Sequence, residues 1–249
     1  MRRLHIVLPM AGRGSRFANA GFTTPKPLIE VEGQAMFLKA LSSFDNIEAP
    51  KAYTIIIRKE HDEKYNLQQQ LKEHLPEANI VMTDEDPIGA TRDALRAEPY
   101  LEPDDGVIFM DCDFMFKSQA YDQMVQDSLA NKLDIAAGLL TFTSTDPRYS
   151  FAETDDQGYV IRTAEKQAIS NKAIWGAYYF ARASIFTKAA KELLAQPLTE
   201  QMKEYYISPL YNLILKEGGK VLTAPVDTFG SFGTPEELEA YLGHPVDPV

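Results

Sequence analysis

The stretch LPMAGRGSRFANAGFTTPKPL, residues 8–28, decides how the rest of the chain is interpreted. It follows the apolar run Leu4–Leu8, which predicts a buried first strand. Gly12 and Gly14 come next, and Lys26 stands further on between two prolines. The first 29 residues hold five Lys or Arg and no Asp or Glu, although the whole chain has a net charge of −11. This local excess of positive charge predicts an anion site near the amino terminus.

A glycine loop that follows a strand directs several backbone N–H groups into one concavity, and neighbouring cations complete an anion site. The Walker string Gly-x4-Gly-Lys-Ser/Thr is absent from the chain. A dinucleotide-binding loop is also excluded, because Phe17 stands at its third glycine and the second strand ends at Arg58 rather than at an acid. The remaining interpretation is a polyphosphate cradle, with an ordinary turn bearing surface arginines as the alternative.

The glycine loop and the Pro-Lys-Pro segment together resemble the signature of the nucleotidyltransferases that make nucleotide-activated sugars and alcohols. The pattern Gly-x-Gly-x-Arg followed by Pro-Lys-Pro-Leu stands here as residues 12–16 and 25–28. The resemblance runs from Ile6 to about Leu242 and is closest to short members found with capsule and surface-polysaccharide synthesis genes. It implies that the loop binds an NTP, with Arg16 and Lys26 as catalytic residues on its phosphates. The nucleotide-binding residues implied in this loop are Leu8, Ala11, Gly12, Arg13, Gly14, Ser15, Arg16 and Lys26.

Two acids end the fourth predicted strand, Gly106–Met110. Asp111 and Asp113 are two residues apart, so strand alternation puts them on one face, where carboxylates without a partner are unfavourable. A hard divalent cation suits oxygen ligands, and Mg²⁺ commonly binds together with phosphates. By resemblance, Asp111 is catalytic and holds Mg²⁺, with Asp113 as the second candidate ligand. Solvated acids at a strand end are the alternative, and Cys112 is expected only to pack between sheet and helix.

The nucleotide base and the acceptor are assigned to two later segments. The turn 86–91 follows the third predicted strand, and its glycine allows backbone to approach a flat ring closely. The resemblance puts the base at Gly89 and Ala90, and a plain helix start is the alternative for this turn. It assigns the acceptor to Glu165, Lys166 and Gly176, with Lys166 on the acceptor phosphate. A solvated Glu-Lys pair is the alternative for this second segment.

The closing string GTPEEL, residues 233–238, also matches the family. Longer members often carry an aspartate just before this glycine, and it completes their metal site. Ser231 or Phe232 stands there in this chain, and Asp227 is a nearby acid that could substitute. The second metal ligand is therefore left open.

Strands that alternate with helices over the first 130 residues predict an α/β fold with a mostly parallel sheet and helices on both faces. Ligands in such sheets bind at the carboxyl ends of the strands, where both the glycine loop and the acids fall. We expect a single Rossmann-like domain over residues 1–249, related to the fold of GT-A glycosyltransferases. Residues 1–130 form the nucleotide-binding half, and 131–249 a β-rich acceptor-binding half. Lys59–Leu75 and Glu204–Lys216 are predicted as two of the helices.

Composition limits the partners and the compartment. The excess of 36 acidic over 25 basic residues argues against nucleic acid and anionic membranes. No segment approaches the roughly 18 apolar residues of a membrane span, and a single cysteine suits the reducing cytoplasm. The expected partners are an NTP, CTP or another, and a phosphorylated small molecule. Mg²⁺ is the expected cofactor, and a homo-oligomer stays open.

The resemblance implies transfer of a nucleoside monophosphate from an NTP to a phosphate monoester, with release of pyrophosphate. Sugar 1-phosphates and small phosphorylated alcohols such as phosphocholine are the acceptor classes, and the motifs do not fix either substrate. Two alternatives stay open. One is a GT-A glycosyltransferase that uses a nucleotide sugar. The other is a non-catalytic nucleotide-binding subunit, suggested by the missing aspartate before Gly233.

Overall fold

The computed structural model describes residues 1–85, 88–199 and 202–246. The strands of this part of the chain are β1 (Leu4–Met10), β2 (Glu30–Val31), β3 (Gln34–Ala35), β4 (Lys51–Arg58), β5 (Asn79–Thr83), β6 (Gly106–Phe109), β7 (Phe114–Lys117), β8 (Ala137–Thr143), β9 (Phe151–Thr154), β10 (Val160–Ala164), β11 (Lys172–Phe180), β12 (Val221–Pro225) and β13 (Thr228–Ser231). Its α-helices are α1 (Ser15–Asn19), α2 (Met36–Leu41), α3 (Lys59–Tyr65), α4 (Leu67–His74), α5 (Ala90–Leu95), α6 (Gln119–Leu129), α7 (Ala183–Leu194), α8 (Ser208–Lys216) and α9 (Pro235–Leu242).

Strand β1 lies inside a nine-stranded sheet, seven strands of which have the order β10-β9-β11-β6-β1-β4-β5. The other two are β8, which pairs with β11, and β12, which pairs with β8. Strand β1 pairs in parallel with both β4 and β6, and β4 pairs in parallel with β5. Its residues Ile6, Val7 and Leu8 are fully buried, as expected for a strand covered on both faces. The glycine loop and Asp111 therefore leave the carboxyl ends of two adjacent parallel strands.

The second half of the chain joins the same sheet through β11. This strand pairs antiparallel with β6, β8 and β9, whereas β12 pairs in parallel with β8. The structure confirms a single α/β domain with a mostly parallel central sheet. No helix among the described residues is both long and apolar enough to cross a membrane.

The two faces of the sheet carry separate apolar cores. One contains Phe37 and Phe44 of the first half, and the other contains Phe186 and Tyr211 of the second half. A third cluster packs Phe17 of the glycine loop against Phe232 and Leu238 of the closing segment. This third cluster fixes the glycine loop to α9, although about 220 residues separate them in the sequence.

Two predicted helices differ from the structure. The single helix predicted over Lys59–Leu75 is wrong, because Asn66 has a left-handed backbone conformation with φ 52° and separates α3 from α4. The helix predicted from Glu204 begins only at Ser208. Its expected first turn is irregular instead, because the backbone of Tyr205 bonds to that of the turn before α5.

Candidate active site

A cavity of about 300 Å³ opens at the carboxyl ends of β1 and β6. It is lined by Pro9, Met10, Gly12, Gly14, Ser15, Arg16, Phe17, Lys26, Pro27, Asp111, Cys112, Asp113 and Gly233. The glycine loop, the Pro-Lys-Pro segment, both predicted metal-binding acids and the closing glycine thus meet in one place. We refer to this cavity as the central pocket.

The glycine loop passes directly over Lys26. Gly14 has φ 62°, and a Cβ atom added to it would lie 3.4 Å from Cβ of Lys26. The loop then enters α1, whose Phe17 is buried and whose Arg16 is exposed at the pocket. Of the other predicted nucleotide-binding residues, Leu8 and Ala11 are buried and outside the lining set, and Arg13 lines a smaller cavity next to the central pocket.

Lys26 forms an ion pair with Asp113. Its Nζ atom lies 2.6 Å from Oδ2 of Asp113, and the two side chains are 21% and 27% exposed. Burial lowers the pKa of Lys26, but the carboxylates of Asp113 and Asp111 raise it, and the net pKa is above the ordinary value. Lys26 is therefore a fixed positive charge in the central pocket.

Asp111 faces the central pocket and has no ion-pair partner among the described residues. Asp111 is exposed to this cavity, and partial desolvation by the surrounding protein, followed by the nearby charge of Asp113, raises its pKa above the ordinary value, against the opposing effect of Lys26. Two acids and one cation leave an excess of negative charge. A bound divalent cation would remove that excess, and the oxygen donors suit Mg²⁺.

The described residues contain no group of three or more His, Cys, Asp or Glu arranged around a common metal position. Within the described part of the chain, the central pocket offers two carboxylates, those of Asp111 and Asp113. Mg²⁺ commonly takes its remaining ligands from water and substrate phosphates, so a two-carboxylate site fits this cation.

The closing string reaches the central pocket at Gly233. A Cβ atom there would lie 2.9 Å from Oδ2 of Asp113, so any larger residue would have to displace this carboxylate. Ser231, which stands near the position of the missing aspartate, donates to Oε2 of Glu237 at 2.9 Å. Asp227 lies elsewhere, because it accepts a 2.8 Å hydrogen bond from the backbone amide of Gln119 and lines a different cavity.

The predicted base turn lies beyond the lining of the central pocket. Gly89 has φ 134° and packs against the backbone of Tyr205, where an added Cβ atom would lie 2.3 Å from the Tyr205 nitrogen. Ala90 is exposed and begins α5. Asp86 and Pro87, which belong to the same predicted turn, lie outside the described residues.

The predicted acceptor residues form a second group. Oε2 of Glu165 accepts hydrogen bonds from the hydroxyls of Ser150 and Ser208. Lys166 has φ 52° and donates from Nζ to the Tyr206 hydroxyl at 2.7 Å. Glu165 is thus held by two hydroxyl groups, whereas Lys166 is exposed and bonds to one.

Tyr178 is half-buried on β11. Burial raises its pKa, and the carboxylates of Glu165 and Asp111 raise it further. Gly176 lies two residues before it on β11, where an added Cβ atom would be 2.9 Å from the ring of Phe114. No motif in the sequence marks Tyr178 or Tyr206, and the sequence analysis assigned neither of them to the site.

A comparison with protein-family models matches residues 5–215 to the family described as Nucleotidyl transferase. The chain belongs to the nucleotidyl transferase family. The match begins in β1 and includes the glycine loop, both acids and the Glu165–Lys166 pair. It confirms the resemblance on which the sequence analysis relied. A search of curated proteins found no match.

Solved structures show the same fold for this nucleotidyl transferase chain. A nucleoside-diphosphate-sugar pyrophosphorylase from Vibrio cholerae RC9 is 24% identical with a TM-score of 0.80, over 96% of this chain and 100% of that one. A protein assigned as a glucose-1-phosphate thymidylyltransferase from Bacillus anthracis, solved with sucrose, is 20% identical with a TM-score of 0.74, over 98% and 96%. The inositol-1-phosphate CTP transferase of T. maritima is 12% identical with a TM-score of 0.70, over 97% and 94%. At these identities the likeness establishes the fold alone.

Proposed function

We propose that this nucleotidyl transferase moves a nucleoside monophosphate from an NTP to a phosphate monoester and releases pyrophosphate. The observation that carries the proposal is the central pocket, in which a glycine loop and a charged lysine face two carboxylates. This arrangement offers positive charge to a triphosphate and oxygen ligands to a cation. The Glu165–Lys166 pair, which lies outside the lining of the central pocket, offers a separate place for the acceptor.

In the proposed reaction an oxygen of the acceptor phosphate attacks the α-phosphorus of the NTP. The bond from the α-phosphorus to the bridging oxygen breaks, and pyrophosphate leaves with the electron pair. Arg16 and Lys26 neutralise the charge that develops on the leaving group, and Lys166 holds the attacking phosphate. No general base is required, because a phosphate monoester is already anionic at neutral pH.

Asp111, with Asp113 as the second candidate, would hold Mg²⁺, which when bound neutralises phosphate charge. Asp113 also pairs with Lys26, so it fixes the position of the pocket's cation whether or not it contacts the metal. We also propose that residues of the glycine loop and of the base turn bind the nucleotide. They are Leu8, Ala11–Arg16, Lys26, Gly89 and Ala90.

The acceptor is proposed to be a sugar 1-phosphate or a small phosphorylated alcohol. The names of the solved relatives, which include sugar-nucleotide and inositol-phosphate enzymes, support both classes. A role in making precursors of surface polysaccharides, in the cytoplasm, accords with either class. The family match supports nucleotidyl transfer over the transfer of a sugar from a nucleotide sugar.

A substrate matrix tests this function. Each of ATP, CTP, GTP, UTP and dTTP is combined with glucose 1-phosphate, inositol 1-phosphate or phosphocholine, with Mg²⁺ and with EDTA, and pyrophosphate is measured. We expect release with at least one pair, dependent on both substrates and abolished by EDTA. Nucleotide binding without turnover across an extended acceptor panel would favour the non-catalytic alternative. Consumption of UDP-glucose without pyrophosphate release would favour the glycosyltransferase.

A further inference from the structure

The segment Tyr205–Ser208 contacts both the base turn and the acceptor pair. On one side, the Tyr205 nitrogen donates to the carbonyl of Ile88 at 3.1 Å, and the Thr91 nitrogen donates to the carbonyl of Tyr205 at 2.8 Å. The Thr91 hydroxyl also donates to the carbonyl of Tyr206 at 2.6 Å. Gly89 lies against the same backbone so closely that no side chain fits between them.

On its other side, the same segment reaches both members of the acceptor pair. The hydroxyl of Ser208 donates to Oε2 of Glu165 at 2.7 Å. The Nζ atom of Lys166 donates to the Tyr206 hydroxyl at 2.7 Å and lies 4.6 Å from the centre of its ring. One short stretch of chain therefore holds the two groups that the proposed reaction must bring together.

Lys166 has a backbone conformation that is uncommon for a residue with a side chain. Its φ of 52° is left-handed, a conformation that non-glycine residues keep only when their surroundings fix it. The side chain is exposed, and the Tyr206 hydroxyl is the main cause that raises the pKa of Lys166. Without Tyr206 the flexible lysine side chain would sample many rotamers in solvent.

We propose that Tyr206 is a positioning residue, which holds the ammonium of Lys166 where the acceptor phosphate binds, and that the Tyr205–Ser208 segment joins this acceptor site to the base turn. The proposal deepens the proposed function and rests on it. Tyr206 acts through Lys166 rather than on the reacting atoms. Removing its hydroxyl therefore weakens acceptor binding and leaves nucleotide binding unchanged.

The test compares Tyr206→Phe with wild type, using the NTP and phosphorylated acceptor that give pyrophosphate release. We expect KM for the acceptor to rise about tenfold, as for the loss of one hydrogen bond to a charged group, and KM for the NTP to stay within about twofold. Tyr149→Phe is the matched control, because Tyr149 also carries a cation over its ring, that of Arg148 at 4.8 Å. Its two KM values should equal those of wild type.

A double-mutant cycle shows whether Tyr206 acts through Lys166. In a Lys166→Met background, Tyr206→Phe should cause no further change in acceptor KM, because the contact is already absent. Independently of turnover, Lys166 should react faster with acetic anhydride in Tyr206→Phe, measured by mass spectrometry relative to the other lysines.

The possible outcomes separate this inference from the proposed function. Two kinetic results would overturn the role of Tyr206 alone, in a wild-type chain that releases pyrophosphate. One is an acceptor KM that Tyr206→Phe does not change. The other is an increase in acceptor KM on Tyr206→Phe that is equally large in the Lys166→Met background. An unchanged acetylation rate also overturns it. A wild-type chain that releases no pyrophosphate with any pair refutes the function, and the acceptor role of Tyr206 with it.

Discussion

The charge of Lys26 is the residue-level feature that most directly connects the central pocket to catalysis. Its ammonium is paired with Asp113 and lies 5.9 Å from the ring centre of Phe17, so its position is fixed before any substrate binds. A preorganised charge stabilises a developing anion without having to reorganise during the reaction. We therefore expect the loss of this charge to affect the rate more than the stability of the fold.

Lys26→Met should lower kcat/KM by about two to three orders of magnitude, because one fixed charge on the leaving phosphates is lost. Circular dichroism should show an intact fold. Lys39→Met is the matched control, since the Lys39 side chain is only 14% exposed and pairs with Glu32 outside the central pocket. A near-normal rate for Lys26→Met would contradict the role assigned to this lysine.

Asp111→Asn keeps the shape of the side chain and removes its charge. We expect turnover to fall at least a hundredfold and the half-saturating Mg²⁺ concentration to increase, measured by pyrophosphate release during a Mg²⁺ titration. Asp227→Asn provides the comparison, because Asp227 accepts a hydrogen bond from the first residue of α6 and lies outside the central pocket. An unchanged Mg²⁺ response in Asp111→Asn would exclude Asp111 as a metal ligand.

Asp122 predicts a pH effect that is independent of catalysis. It is 6% exposed on α6, and its Oδ1 has no hydrogen-bond partner in the described structure. Burial raises its pKa from 3.8 to about 6, with a further increase from Asp227 and opposing effects of Asn46 and Lys51. A raised carboxyl pKa means that the folded state binds more protons than the unfolded state between pH 4 and 6. This group therefore lowers stability as pH rises through that window.

Asp122→Asn should remove this pH dependence. Relative to wild type, the free energy of unfolding should rise by up to about 3 kcal/mol at pH 8 and change little at pH 4. Urea denaturation at both pH values measures the difference. A gain at pH 4 equal to that at pH 8 would show that the titration of Asp122 is not its cause.

At the scale of elements, the parts of the site that depend on local sequence were predictable. A strand followed by Gly12 and Gly14 indicates a phosphate loop, and Thr234 before Pro235 indicates a helix start. In the structure α9 begins at Pro235, and the Thr234 hydroxyl accepts a hydrogen bond from the Glu237 amide. The proximity of the glycine loop and the two acids was also predictable, because the carboxyl ends of neighbouring parallel strands lie at the same edge of a sheet.

Contacts between distant segments were not predictable in the same way. The Tyr206 hydroxyl bonds to Lys166, which is 40 residues away in the sequence. The backbone of Tyr205 bonds to the base turn, where the sequence predicted a turn of helix. Both depend on the path of the chain after β11, and neither leaves a periodic or compositional pattern. The break at Asn66 was missed for another reason, because the polar spacing on both sides fits a single helix.

The break between α3 and α4 gives a stability prediction. Asn66→Ala should lower the free energy of unfolding by about 1–2 kcal/mol, since alanine tolerates the left-handed conformation poorly, and Asn66→Gly should change it little. Urea denaturation of the two variants measures the contrast. Equal stability of the alanine and glycine variants would show that the backbone conformation at residue 66 imposes no penalty.

At the scale of the whole molecule, the proposed nucleotide and acceptor sites are connected by one short stretch of chain. The Tyr205–Ser208 segment bonds to the base turn and to the acceptor pair. The division at residue 130 separates two proposed roles, but a single sheet runs through both halves. We therefore expect the two substrate sites to respond together when the connection at Gly89 is disturbed.

Gly89→Ala tests this expectation. A Cβ atom at Gly89 would lie 2.3 Å from the Tyr205 nitrogen and 2.6 Å from its carbonyl oxygen, so the segment must move away. Displacement of the segment shifts Tyr206 and Ser208 as well as the base turn, so KM should rise for the acceptor and for the NTP.

Gly218→Ala is the control, because Gly218 also has a positive φ, of 83°, but no atom within 4 Å of the added Cβ. Gly218→Ala should lose about 1 kcal/mol of stability to backbone strain, with both KM values unchanged. A rise in the KM for the NTP alone in Gly89→Ala would show that the segment does not transmit the disturbance to the acceptor site.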